Sequence, residues 1–228
     1  ITNLLTATPI IDSTPNIHIT GLTPATTYYI WLRSVCDSGT YSDYSTKISF
    51  KTEATPATIP YFCDFESDTE NNNWFYKTYG NNTTTKWIIY THAGNGLSSS
   101  GTNSAYIYNH FSNQVYDDSA YHAINSTYSS AFYRDINFGT NDTSLLLKFD
   151  WKGKANSPYS GILRVYIRDL NETITNNLPI NPNDNLGTFY SDDTSWHTAE
   201  IELNNITGIK RLYFFAYNNG GGALVLPS

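Results

Sequence analysis

The chain has 228 residues, 39% hydrophobic and only 14% charged, with a formal net charge of -7. That length allows one large or two modest domains, and the acidic balance with scattered Lys and Arg speaks against binding to nucleic acid. No run approaches the roughly 18 apolar residues that would cross a bilayer as a helix, and no charged start followed by an apolar stretch marks a signal peptide, so any export signal would lie outside these residues.

Apolar runs are short and are broken about every ten residues by Asn, Ser, Thr, Gly and Asp, the pattern of strands joined by turns. Nineteen Tyr, 11 Phe and 5 Trp suit pleated, half-buried surfaces. The predicted fold class is all-β. A surface of Asn, Thr, Ser and Tyr rather than Lys and Glu fits an extracellular or cell-surface protein.

Within residues 17–35, IHITGLTPATTYYIWLRSV, Leu22, Pro24 and Tyr28 have the spacing of a turn entering a strand, and Tyr28, Ile30 and Leu32 then alternate on one face. This resembles the E to F corner of a fibronectin type III domain, with Tyr28 as the corner tyrosine bonding back to the preceding turn. Residues 47–51 would be the last strand, with Ile48 and Phe50 inward. A complete domain of that type needs about 100 residues. Residues 1–53 are therefore expected to be its C-terminal part; a smaller independent sheet is the alternative. Residues 54–60 read as a Pro- and Thr-rich linker, and 61–228 as a second β module.

Tyr61 to Glu66, YFCDFE, opens that module, with Tyr61, Cys63 and Phe65 on one face of an extended segment. Cys36 and Cys63 are the only cysteines. A disulfide between them would stabilise by roughly 3 to 4 kcal/mol in the loop-entropy picture; two buried free thiols are the other reading. Strands are predicted over 74–79, 86–90, 104–108, 130–138, 144–151, 161–169, 196–203 and 211–218. Those at 144–151 and 161–169 alternate most strongly and are expected to form a hairpin, with Leu147, Phe149, Trp151, Val165 and Ile167 in one core and Arg164, Tyr166 and Arg168 facing the other way.

The segments YFCDFE, NNNWFY, TKWIIY, SAYIYN, SAFYRDINF, LLLKFDWKG, ILRVYIRD, DTSWHTAEIEL and KRLYFFAYNNGG resemble, in order, the MAM-like jelly-roll modules of secreted and surface proteins of Bacteroidota, also called choice-of-anchor J or cleaved-adhesin domains. The resemblance implies a jelly-roll β-sandwich over 61–228. Family members usually carry one more strand with an Ile-Asp pair, which this chain does not show before Ser228, so the last strand is expected to be lacking.

No GxSxG turn and no HExxH spacing among His18, His92, His110, His122 and His197 points to catalysis, and the expectation is no enzyme activity. Asp64 and Glu66, on one side of the segment, suit a hard cation, and the resemblance implies a structural calcium there, with ligands added from the missing Ile-Asp strand or from loops such as 117–119; two exposed carboxylates are the plain alternative. Trp74, Trp87 and Trp151 are expected in the core. Tyr90, Tyr108 and Tyr121, beside polar loops, are candidate carbohydrate-binding residues. The functional expectation is a non-catalytic extracellular binding or adhesion module that recognises a glycan or an extracellular protein alongside flanking domains of the same chain. An accessory or spacer module of an exported peptidase or glycoside hydrolase, or one repeat of a surface fibre, is the alternative.

Overall fold

A computed structural model describes residues 8–14, 16–35, 39–79, 85–91, 98–109, 127–140, 144–153, 162–172, 185–191 and 195–219. The chain divides into two units, Ile1–Thr55 and Pro56–Ser228, and no helix among the described residues is long and apolar enough to cross a membrane.

In the first unit, β1 (Thr27–Ile30) and β2 (Ile48–Lys51) pair antiparallel with Tyr28 opposite Phe50, their rings stacked at 5.9 Å. The Tyr28 hydroxyl accepts a hydrogen bond from the Thr23 backbone N–H at 2.8 Å, the corner contact expected from the sequence. Thr52 Oγ1 donates to the Thr23 carbonyl at 2.6 Å and ties the end of β2 to the same turn. The expected inward face is only partly covered, because two strands cannot enclose a core: Ile48 is 53% and Leu32 56% exposed.

The second unit begins inside the predicted linker. Ala57 and Thr58 form β3 (Ala57–Thr58), and Ala57 and Ile59 pack against Ile136, Phe138 and Val165, so burial draws this proline-flanked segment into the sheet. A four-residue helix, α1 (Asp68–Asn71), follows, capped by Ser67. The strands are then β4 (Phe75–Tyr79), β5 (Thr85–Thr91), β6 (Asn103–Asn109), β7 (Thr127–Asn137), β8 (Ser144–Trp151), β9 (Ile162–Arg168), β10 (Gly187–Phe189), β11 (His197–Asn204) and β12 (Ile209–Asn219).

One sheet runs β10-β9-β12-β7-β3. The 11-residue β7 also takes β4 along residues 129–133, while the two residues of β3 pair farther along at 136–137. The pairs β5–β6 and β8–β11 form the opposite layer. Their inward side chains meet the large sheet in two adjoining clusters, one around Trp74, Trp87 and Phe132 and one around Ile136, Val165 and Leu212. From β4 onward the chain passes repeatedly between the two layers, and the unit is an all-β jelly-roll sandwich.

The expected β8–β9 hairpin is not formed. β8 pairs along all eight residues with β11, and β9 lies in the other layer between β10 and β12. Alternation identifies each strand and its inward face, but not its partner. Leu147, Phe149, Val165 and Ile167 therefore still meet, across the sandwich instead of within a sheet, and Trp151 joins the neighbouring cluster. Only Val165 is fully buried; the inward residues of β8 are half-buried. Tyr166, expected outward, is buried with Tyr79, Tyr213 and Phe215 on the far face of the large sheet.

Phe132 is 2% exposed and stacks on Trp74 at 4.1 Å and on Trp87 at 5.5 Å. Phe132→Ala is expected to lower stability by about 3 to 5 kcal/mol, read from the midpoint of urea unfolding. A loss under about 1 kcal/mol would show that these rings do not hold the layers together.

Candidate functional site

The YFCDFE segment joins no ladder, and its Phe65 has a left-handed φ of +62°. Tyr61, Cys63 and Phe65 turn inward against the Trp74 and Phe132 cluster, while Phe62 is 81% exposed and Asp64 and Glu66 face solvent. The sequence alternation is kept because three inward side chains are enough to seat the segment.

Cys63 is a free thiol in the structure; Cys36, the other half of the expected bridge, lies outside the described residues. The Cys63 side chain packs into its own unit, and burial raises its pKa despite contacts with Phe65, Trp74 and Tyr61. It behaves as a small hydrophobe.

Glu66 Oε1 accepts from the backbone N–H groups of Thr102 and Asn103 at 2.6 and 2.7 Å, and Oε2 accepts from Thr102 Oγ1 at 2.8 Å. Asp64 Oδ1 accepts from the Glu66 N–H at 3.1 Å. The Asn103 and Thr102 donors hold the Glu66 carboxyl below its ordinary value. Gly101 permits this clamp: its φ is +68°, and a Cβ there would fall on the Glu66 carboxylate. Glu66 thus anchors the 101–103 loop, and no three His, Cys, Asp or Glu side chains gather among the described residues. Residues 117–119 lie outside them.

Sequence reasoning missed a second anchor. Glu70 Oε1 accepts from Tyr61 Oη at 2.5 Å and from Arg134 Nε at 2.9 Å, and Glu70 Oε2 from Asn73 at 3.0 Å. Burial alone would raise the Glu70 carboxyl, but these donors outweigh it and the net shift is downward. The Ser67 cap three residues before Glu70 was the available signal.

Of the candidate sugar-binding residues, Tyr90 stands on β5 opposite Ser104, 48% exposed. Tyr108 sits on β6 opposite Lys86. Tyr121 lies outside the described residues.

The larger feature is a cleft of about 630 Å³ between the layers. Consecutive residues 145–152, all but Lys152 in β8, and 59–65 line it, so it is bordered by both stretches of backbone as well as by side chains. Leu163, Leu212 and Phe214 lie at its floor, which explains why the inward residues of β8 are only half-buried. Its margin is polar, with Asp64, Asn103, Asp150 and Lys152. At the Trp151 end, Trp151 stacks on His197 at 4.8 Å, Lys152 Nζ lies 5.6 Å from the Trp196 ring centroid, and Thr198 Oγ1 donates to Asp150 at 2.7 Å. Sequence reasoning placed Trp151 in the core and did not single out Trp196.

No protein-family model matches this chain, and no curated protein matches it. Among solved structures, TmCBM61 in complex with beta-1,4-galactotriose is similar at 9% identity, with a TM-score of 0.34 over 67% of this chain and 83% of that chain.

Because the folded-state pKa of Glu66 lies below its ordinary 4.5, the clamp contributes stability above that pH and loses it as pH falls through the folded value. The melting temperature of Glu66→Gln should therefore lie below that of the native chain at pH 7, with the difference closing as pH falls below 4.5. A gap that stays constant from pH 7 to pH 3 would remove the carboxylate from the clamp.

Proposed function

We propose that the chain is a non-catalytic binding or adhesion module of an exported surface protein, and that its second unit recognises a glycan chain. The observation that carries this reading is the cleft itself: an opening in a rigid sandwich, apolar within, whose margin pairs aromatic rings with carboxylate, amide and ammonium groups. Ligand sites of this kind use apolar surface for contact area and a few placed polar groups for orientation. Sugars meet both demands, since their C–H faces stack on rings and their hydroxyls both donate and accept.

One such site supplies modest affinity, and repetition along a surface protein raises the effective strength by linking sites. The purified chain, screened on immobilised plant, mucin and matrix glycans and then titrated calorimetrically with the oligosaccharides that score, should bind with Kd between about millimolar and micromolar. It should leave those oligosaccharides uncleaved. Failure to retain any glycan, or release of reducing ends from a bound one, would overturn the reading.

A further inference from the structure

We infer that the first unit carries a site of its own, a cationic face that takes an acidic polysaccharide through the side chains of Arg33 and Lys47. A hairpin that continues past β1 and β2 builds this face. The Ser45 N–H donates to the Leu32 carbonyl at 2.7 Å and the Ser42 N–H to the Ser34 carbonyl at 3.1 Å. In return the Leu32 and Ser34 N–H groups donate to Ser45 Oγ at 3.0 Å and Ser42 Oγ at 2.9 Å. Serine hydroxyls thus stand in for ladder carbonyls, and a bridge joins Val35 to Tyr41. Asp43 and Tyr44 together fall opposite Arg33, the two-against-one count of a bulge, which re-aims a side chain. Tyr28 stacks on Phe50 on one side of the pair, and Tyr29, Trp31 and Arg33 take the other.

The side-chain contacts agree with this face. Arg33 Cζ lies 3.8 Å from the Tyr41 ring centroid and 4.7 Å from that of Tyr44, and Lys47 Nζ lies 4.6 Å from that of Tyr29. The Tyr29 ring in turn meets Trp31 at 6.4 Å. Here the rings are supports for the cations, and the cations face the ligand. A guanidinium laid on a ring keeps its N–H edge for a carboxylate or sulfate, and holding it there in advance lowers the entropy lost on binding. Arg33 and Lys47 are both exposed, and neither side chain makes a hydrogen bond or ion pair with a described residue. Lys51, opposite Thr27, extends the row, so all three Lys and Arg of residues 1–55 share one face.

Size and charge select the occupant. Residues 29–35 span about 20 Å and two paired strands about 10 Å, far less than the roughly 800 Å² that each side of a stable protein interface buries. A thin, linear polyanion fits that footprint. Single-stranded nucleic acid stacks its bases on rings, and these rings are engaged by their own cations. An extended peptide gains most at a sheet edge, where its backbone finds partners, and this is a sheet face. A polysaccharide with carboxylate or sulfate groups carries its anions and hydroxyls along its whole length. Because the chain as a whole has a net charge of -7, a polyanion that it retains is held by a local patch and not by overall charge.

The test measures binding of the full chain to heparin and to polygalacturonate at low and at physiological salt, with polyglutamate and single-stranded oligothymidylate for comparison. The native chain should bind at least one of the two polysaccharides, more tightly than either comparison polymer. The double variant Arg33→Gln, Lys47→Gln should lose at least tenfold in affinity, with a shallower dependence on salt because fewer counterions are released. Should the double variant fail to fold, Lys47→Gln alone decides, and a several-fold loss is expected. No binding by the native chain, or affinity unchanged by the substitutions, overturns the inference. Polyglutamate or oligothymidylate held as tightly overturns the polysaccharide as occupant. Neutral oligosaccharides bound by the second unit should bind native and variant chains alike, so a failure of this inference and a failure of the cleft reading show separately.

Discussion

Phe132 is the ring through which the two layers of the second unit hold one another. It belongs to β7, which with β12 is one of two 11-residue strands in the large sheet, and its faces meet Trp74 at the entry to β4 and Trp87 of β5 in the opposite layer. Trp87 Nε1 also donates to the Ser130 carbonyl at 3.0 Å, so the contact between layers is fixed in direction as well as in distance. Aromatic pairs add specificity beyond the area they bury. Phe65 and Tyr76 join the same cluster, with ring centroids 5.8 and 5.3 Å from Phe132. The segment that opens the unit is thereby tied to its centre.

The charged groups close to this framework are held in defined pairs. Arg134, 3% exposed, lies against Glu70, and Arg211 makes two bonds to Asp135 at 2.6 and 2.8 Å. The Asp135 carboxylate pushes the Arg211 pKa upward and outweighs the opposing effect of burial. Breaking one member of such a pair leaves a charge in a poorly solvated place, which costs more than the pair contributes when intact. These pairs therefore fix register more than they add stability. Arg211 stands opposite Asp135 in the β7–β12 ladder, and a one-residue slip would separate them.

Much of this was legible in the sequence, and the limits have physical causes. The strict alternation of Leu145, Leu147, Phe149 and Trp151 gave β8 its span and inward face, because a strand that half-faces a core must alternate. It could not give the partner, since pairing depends on where the chain returns, and β8 was assigned to β9 in place of β11. β3 and β10, of two and three residues, carry too few side chains to show a period. The Tyr28 corner was readable because its chemistry is local, a hydroxyl meeting a backbone N–H five residues away. Glu66 was readable as a carboxylate of consequence but not in its role: its donors, Thr102 and Asn103, lie far along the chain.

The β8–β11 pair separates two demands that compete in most of the unit. Its inward residues meet the large sheet and set the strand's position, so changes there carry the cavity and packing costs of a core. Its outward residues bear little of that load, and substitutions at such surface positions usually move stability by no more than about 0.5 kcal/mol. Lys148 and Glu200, paired at 2.8 Å and each more than half exposed, contribute little to the fold for this reason. The outward row can therefore vary in its side chains while the backbone beneath it stays fixed.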